Sequence, residues 1–296
     1  MFIHIIRCGD ASLPRDLPLP VHDTPSRPGR RELRVIDDLA AHYLPYDPTP
    51  RLDEIAAQPD VAHLGAPAAD PRRPVETVRL VVVGTDADLD AVATRLMRID
   101  ATWIELAYIP TQREHSPIAT SWGIEDKPWS IALSGAVNPV PLIRDDSGLA
   151  TLGVAEICMI DGSPFVGEII IDDATIAAPR GAVFFGARIA AAVTAPGVAA
   201  VAMTGPSVLL EGDASAVSLS HAGKKGEDTK NRPGFVGRLF HRGPVAGACD
   251  GTVHSGRAVQ AGGDSFIVYR DGVPHPRQLT RVTFYRHLRD LQAVRP

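Results

Sequence analysis

The apolar positions of this chain follow two rhythms. Up to about residue 130, short continuous apolar runs alternate with stretches of helical periodicity. Phe2–Ile6 and Leu80–Val83 read as buried strands, and Trp103–Ile109, ending at Pro110, reads as a third. Glu32–Leu44 reads as a helix with Leu33, Ile36, Leu39 and Ala40 on one face. Directly after Gly84, Leu89, Val92, Ala93 and Leu96 fall at i, i+3, i+4 and i+7, the stripe of a second helix. Strands alternating with helices predict a layered α/β domain with a mainly parallel sheet. Pro45–Pro74, rich in Pro, Ala and Asp, reads as an irregular connection.

After Pro128 the rhythm changes. Short apolar segments alternate with Gly, Pro and Asp–Gly turns. Candidate strands are Val137–Ile143, Leu152–Ile160, Phe165–Asp172, Ala182–Ile189, Val198–Thr204, Ser207–Glu211, Ala216–Ser220, Arg257–Ala261, Ser265–Arg270 and Gln278–Phe284. Asp161–Gly162 and Asp271–Gly272 are placed as hairpin turns. The pattern predicts an antiparallel β-sandwich or barrel, and the sandwich is the expectation carried forward. The expected domains are 1–130, α/β and nucleotide-binding-like, and 131–296, a β-sandwich. The apolar stretch Ala182–Thr204 holds Arg188, Pro196 and Gly197 and much alanine, so two core strands fit it better than a membrane span.

Composition narrows the class. Hydrophobic residues make up 45% and charged residues 22%, as in globular domains, and a net charge of −5 gives no reason to expect nucleic acid. Cys8, Cys158 and Cys249 are widely spaced and odd in number, which fits neither a disulfide framework nor a metal cluster. With no signal-peptide pattern at MFIHIIRCGD, a cytoplasmic location is expected. Residues 221–255 read as a flexible basic loop with Lys224, Lys225, Lys230, Arg232, Arg238 and Arg242. With Phe235, Leu239 and Phe240 as an apolar foot, it would face phosphates, a lipid or an anionic membrane surface.

The chemistry concentrates at Gly84-Thr85-Asp86-Ala87-Asp88. A strand, a glycine turn and a helix N-terminus can make a phosphate site. Here the turn carries carboxylates. Asp86 is the expected N-cap, with Asp88 and Asp90 in or beside the first turn, so the positive helix end is already compensated. An incoming phosphate must compete with them unless Mg²⁺ reverses the sign, with Asp86 and Asp88 as its ligands. No G-x-x-x-x-G-K-[ST], G-x-S-x-G or H-E-x-x-H motif is present.

A GTD turn in an α/β half, followed by a β-rich half with a late Asp–Gly turn, resembles the diacylglycerol kinase catalytic family, which includes bacterial lipid kinases and is more distantly related to NAD kinases. The family's phosphate loop reads GGDGT. Gly84 and Asp86 match, whereas Thr85 and Ala87 replace glycines and Asp88 replaces the threonine. Ile109-Pro110 and Gly123-Ile124 match two further family positions, but TQREHSPIATSW between them lacks the family's glycine and Asn-Asp pair. The family's Asp-Gly-Glu turn is here Asp271-Gly272-Val273, without the third-position carboxylate. Leu291–Pro296 corresponds to the final short strand, and the first 80 residues show no resemblance.

The resemblance implies three readings. The first is a degenerate lipid-kinase-like protein with weak or no phosphoryl transfer, retaining nucleotide or lipid binding. The second is an active ATP- and Mg-dependent lipid kinase. It would use Asp86 and Asp271 as catalytic carboxylates, and Gly84, Thr85, Asp86, Thr111 and Arg113 around the nucleotide. The third is a non-enzymatic interaction module. The resemblance also implies a homodimer. Cβ atoms at 85 and 87 obstruct close backbone approach to phosphate, and loss of the acid at 273 removes a base worth about 10²–10⁴ in rate. These departures favour the first reading.

Overall fold

The computed structural model describes residues 1–44, 65–178, 183–207, 209 and 252–296. The N-terminal half forms in the order β1 (Phe2–Cys8), β2 (Val21–Thr24), α1 (Arg34–Tyr43), β3 (Val78–Gly84), α2 (Asp86–Arg98), β4 (Glu105–Pro110), α3 (Pro117–Trp122) and α4 (Pro128–Ser134). β3 is buried along its whole length, as its unbroken apolar run requires of a central parallel strand. The stripe Leu89, Val92, Ala93 and Leu96 is fully buried against the sheet.

The β-rich half continues with β5 (Ile143–Asp145), β6 (Ala150–Thr151), β7 (Val154–Cys158), β8 (Gly167–Ile171), β9 (Ala174–Ala177), β10 (Gly186–Ala191), β11 (Val198–Met203), β12 (His254–Gly256), β13 (Ala258–Arg270), β14 (Val273–Pro274) and β15 (Leu279–Arg286). The last strand, β16 (Gln292–Ala293), returns to the first sheet and pairs parallel with β4. That sheet has the order β16-β4-β3-β1-β2 and is parallel throughout. The second is an 11-stranded antiparallel sheet wrapped into a sandwich. Val140, Leu142, Ala150, Leu152 and Leu291 pack in the same cluster as Leu89 and Leu96, so an apolar core runs across the seam between the halves.

Several expectations needed revision. Arg257–Ala261 and Ser265–Arg270 are one strand, β13. Its first part pairs with β15 and β8 and its last four residues with β7, with a register shift between Gly262 and Phe266. The glycines read as a break are the place where the strand changes partners: a Cβ on Gly263 would lie 2.3 Å from the Val166 carbonyl oxygen. Asp161–Gly162 does not join a hairpin, because β7 pairs with β10 and β13 while β8 pairs with β13 and β9. Asp271–Gly272 does, with φ of 43° and 80° between Arg270 and Val273. Val137–Ile143 contributes isolated bridges at Val137 and Val140 ahead of β5.

The apolar stretch at 182–204 forms the antiparallel pair β10–β11. No helix among the described residues is long and apolar enough to cross a membrane. The segments 45–64, 179–182, 208 and 210–251 lie outside the described residues. They include most of the basic loop, Cys249 and most of two candidate strands.

Candidate functional site

The turn after β3 is built around a carboxylate other than the one expected. Thr85, not Asp86, is the N-cap: its backbone is extended and its hydroxyl accepts from the Asp88 backbone N–H at 3.3 Å. Asp88 reciprocates, accepting from the Thr85 N–H at 2.7 Å and the Thr85 hydroxyl at 2.8 Å. A residue three places on closes this box, and Asp86 at the first helical position has no such reach. Asp88 also accepts from the Arg27 N–H at 2.6 Å and the Ser26 hydroxyl at 3.2 Å. It is 1% exposed, so these donors come from protein on every side. A Cβ on Gly84 would lie 2.6 Å from Asp88 Oδ2. The glycine retained from the GTD turn thus makes room for the protein's own carboxylate.

Asp86 points elsewhere. It accepts from the Tyr108 hydroxyl at 2.7 Å, the Ser116 hydroxyl at 2.5 Å and the Ile118 N–H at 3.2 Å. Ser116 also caps α3 through the Ala119 N–H. Burial and the charge of Asp271 push the Asp86 carboxyl up to about 7. The Tyr108 phenol is also raised well above its ordinary value, mainly by burial and then by Asp86.

One helical turn on, Asp90 occupies the same face as Asp86. It accepts from the Leu152 N–H at 2.8 Å, and burial and then the neighbouring Asp271 raise its carboxyl well above the ordinary carboxylate range. Asp271 in turn accepts from the Val154 N–H at 2.8 Å and the Gly153 N–H at 3.3 Å. Burial raises both acids, while the contact with Asp90, the backbone donors and Arg188 partly offset the rise at Asp271. Asp86, Asp90 and Asp271 form a carboxylate group across the seam of the two halves. Asp90 was missed as a site residue; its i, i+4 spacing from Asp86 was the available signal.

The remaining expected residues are spread apart. Thr111 donates from its N–H and its hydroxyl to the Gly84 carbonyl, at 2.8 and 3.0 Å, and so splices the ends of β3 and β4. Arg113 is exposed in the 3₁₀ turn Arg113–His115. Asp86 and Asp88, expected as joint metal ligands, turn toward different partners. Among the described residues no group of three or more His, Cys, Asp or Glu side chains is arranged to hold a metal ion. Gly123, in the matched Gly-Ile pair, is the left-handed cap of α3 at φ 69°.

The residues present do not fit a magnesium nucleotide in the turn. The Thr85, Arg27 and Ser26 donors already hold Asp88, and the Ile118 N–H already meets Asp86. Asp88→Ala is expected to cost about 2–4 kcal/mol, since it strips a cap and leaves part-buried donors unmet. Urea unfolding measures the loss. Added phosphate should stabilise the variant more than wild type. A loss below about 0.5 kcal/mol would show that the carboxylate does not organise the turn.

Comparison with solved structures places this geometry in a known architecture. A diacylglycerol kinase structure from Bacillus anthracis str. Sterne aligns over 100% of this chain and 97% of its own, with a TM-score of 0.53 and 9% identity. Two further Bacillus anthracis structures of this kind align with TM-scores of 0.52 and 0.53. An NAD kinase from Archaeoglobus fulgidus, in complex with ATP, aligns at a TM-score of 0.37 and 10% identity, too loose a likeness to carry an argument. No protein-family model matches the sequence, and no curated protein matches it. The chain therefore has the diacylglycerol-kinase-like fold: a parallel α/β half and an antiparallel sandwich joined by a returning last strand.

Proposed function

We propose that this protein is a degenerate member of the diacylglycerol-kinase-like fold that does not transfer phosphoryl groups from ATP to a lipid, or does so only weakly. The observation that carries the reading is Asp88. Its carboxylate takes the turn's backbone and hydroxyl donors that an incoming phosphate would need. Phosphoryl transfer rests mostly on positioning and charge stabilisation, and a turn filled by its own anion provides neither.

One observation favours an active kinase instead. Asp86, held near neutrality beside Asp90 and Asp271, has the perturbed acidity typical of catalytic carboxylates. The test is incubation with γ-labelled ATP, Mg²⁺ and mixed vesicles containing diacylglycerol. The expected result is no label in lipid above a protein-free control. Label that enters the lipid and is lost in both Asp86→Asn and Asp271→Asn would establish the active reading.

A further inference from the structure

The parallel sheet carries a buried imidazole with nothing in the protein to bond. His4, on β1, is 9% exposed, and neither ring nitrogen has a hydrogen-bond partner among the described residues. Buried polar groups almost always find a partner within the fold, and one that does not marks a place for a bound ion or water. Its strand neighbour Leu80 and the stacked Phe2 ring, 6.0 Å away between centres, offer only carbon.

His22 is the polar side chain beside it. β1 and β2 run parallel with Ile6 opposite His22, so His22 projects from the same face of the sheet as His4. The two imidazole rings lie 6.4 Å apart between centres, inclined by 36°. His22 Nε2 lies 2.9 Å from the Glu32 carbonyl oxygen. A carbonyl only accepts, so Nε2 carries the proton and Nδ1 of the neutral ring keeps its lone pair. A bond of this kind, from one ring nitrogen to a backbone carbonyl, is what orients a metal-binding histidine and fixes its tautomer.

The surroundings set the kind of ligand. Asp23 is paired with Arg7 at 2.7 Å, and Glu32 turns its carboxylate to the Gly29 N–H at 3.0 Å. Beyond Phe2 the wall continues with Tyr43, 5.4 Å from Phe2. Burial and then His22 lower the proton affinity of His4, which keeps its ring neutral and able to offer a lone pair. Two neutral imidazoles without a carboxylate or thiolate suit late first-row divalent ions, not magnesium or calcium. A metal about 2 Å from one nitrogen of each ring draws the ring centres to roughly 5–6 Å. The pair closes on such an ion by a small turn of the side chains.

We propose that His4 and His22 form a binding site for a late first-row transition-metal ion, copper(II) or zinc(II), between β1 and β2. With two protein ligands, the remaining coordination positions are left to solvent. The bound ion ties the edge strand β2 to β1 and stabilises the folded state in proportion to its affinity. The site stands apart from the carboxylates at the seam, since His4 pairs with Leu80, four residues before Gly84. It is therefore independent of whether phosphoryl transfer is lost.

Calorimetric titration of the untagged full chain, stripped with EDTA and dialysed, with Cu²⁺ and with Zn²⁺ tests the site. Wild type should bind one equivalent of Cu²⁺ or Zn²⁺, and the Cu²⁺-loaded protein should show coupling to two imidazole nitrogens in its electron paramagnetic resonance spectrum. His22→Gln and His4→Phe, which keeps a ring in the buried position, should each weaken binding by about tenfold or more. His115→Ala, at an exposed histidine in the 3₁₀ turn, should bind as wild type does. Melting curves without metal show which variants fold. His22 is partly exposed, so His22→Gln carries the test if His4→Phe does not fold. The absence of a one-equivalent site, a spectrum without imidazole coupling, full affinity in either folded variant, or loss of the site in His115→Ala would overturn the proposal.

Discussion

Asp145→Ala should lower the unfolding free energy by about 3–5 kcal/mol, the cost of leaving one partner of a buried ion pair uncompensated. Asp145 is fully buried on β5 and pairs with Arg270 on β13, which is itself 6% exposed. The same carboxylate accepts from the Ser147 hydroxyl at 2.8 Å and the Leu149 N–H at 2.9 Å, shaping the turn into β6. Arg270 has one buried nitrogen, Nε, without a hydrogen-bond partner, and its guanidinium lies 5.7 Å from the centre of the Phe284 ring. Removing Asp145 leaves that charge little to turn to. Urea unfolding of the full chain measures the effect. A loss under about 1 kcal/mol would mean that solvent or another group takes over the role. Asp145→Asn, which keeps the acceptor but not the charge, should fall between the two.

The second large effect is pH dependence set by Asp86. Its native carboxyl holds a proton up to about pH 7, whereas a carboxyl in the unfolded chain releases it near 3.8. Between those limits the native state binds more protons than the unfolded state, so stability falls as pH rises. The contribution is fully present below about pH 4 and is lost by about pH 7, amounting to about 4 kcal/mol. Asp86→Asn imitates the protonated carboxyl and removes this dependence. The Asn oxygen can still accept from Tyr108 and Ser116. Unfolding free energies at a series of pH values give the readout. Wild type should lose about 4 kcal/mol more than the variant between pH 4 and pH 8. Parallel curves would show that Asp86 is ionised in the native state throughout. A uniform offset between the curves, from the amide facing the Ile118 N–H, does not affect the comparison.

His4 acts in the opposite direction. It is 9% exposed, with both ring nitrogens lacking hydrogen-bond partners, and burial and nearby His22 lower its proton affinity. Its contribution is present above about pH 6.5 and is lost as pH falls below that value. The Asp86→Asn comparison cancels it, because His4 is common to both proteins.

Much of the architecture was written in local pattern. The unbroken apolar run of β3, the stripe of α2 and the Pro–Gly turn between β10 and β11 each report burial on one or both faces, and burial is what the sequence encodes most directly. The β2 strand escaped notice because Val21–Thr24 has only four residues and one buried side chain. The short helices α3 and α4 lie where apolar spacing is too brief to show a period. The merging of two expected strands into β13 depended on partners more than eighty residues away, Gly167–Ile171 and Val154–Cys158, which no local window contains.

The site divides along the same line. By itself the sequence determined that the turn after the first long apolar run was loaded with carboxylates and short of glycine. Side-chain chemistry and spacing suffice for that. Only the tertiary structure decided which carboxylate did what. Asp88 took the donors of the turn because Ser26 and Arg27 are brought to it from a loop 62 and 61 residues away. Asp86 was drawn into the protein by Tyr108 and Ser116, and Asp90 met Asp271 across 181 positions of chain. Proton sharing and burial depend on distances that spacing along a sequence does not fix, so the acidity of these groups belongs to the fold.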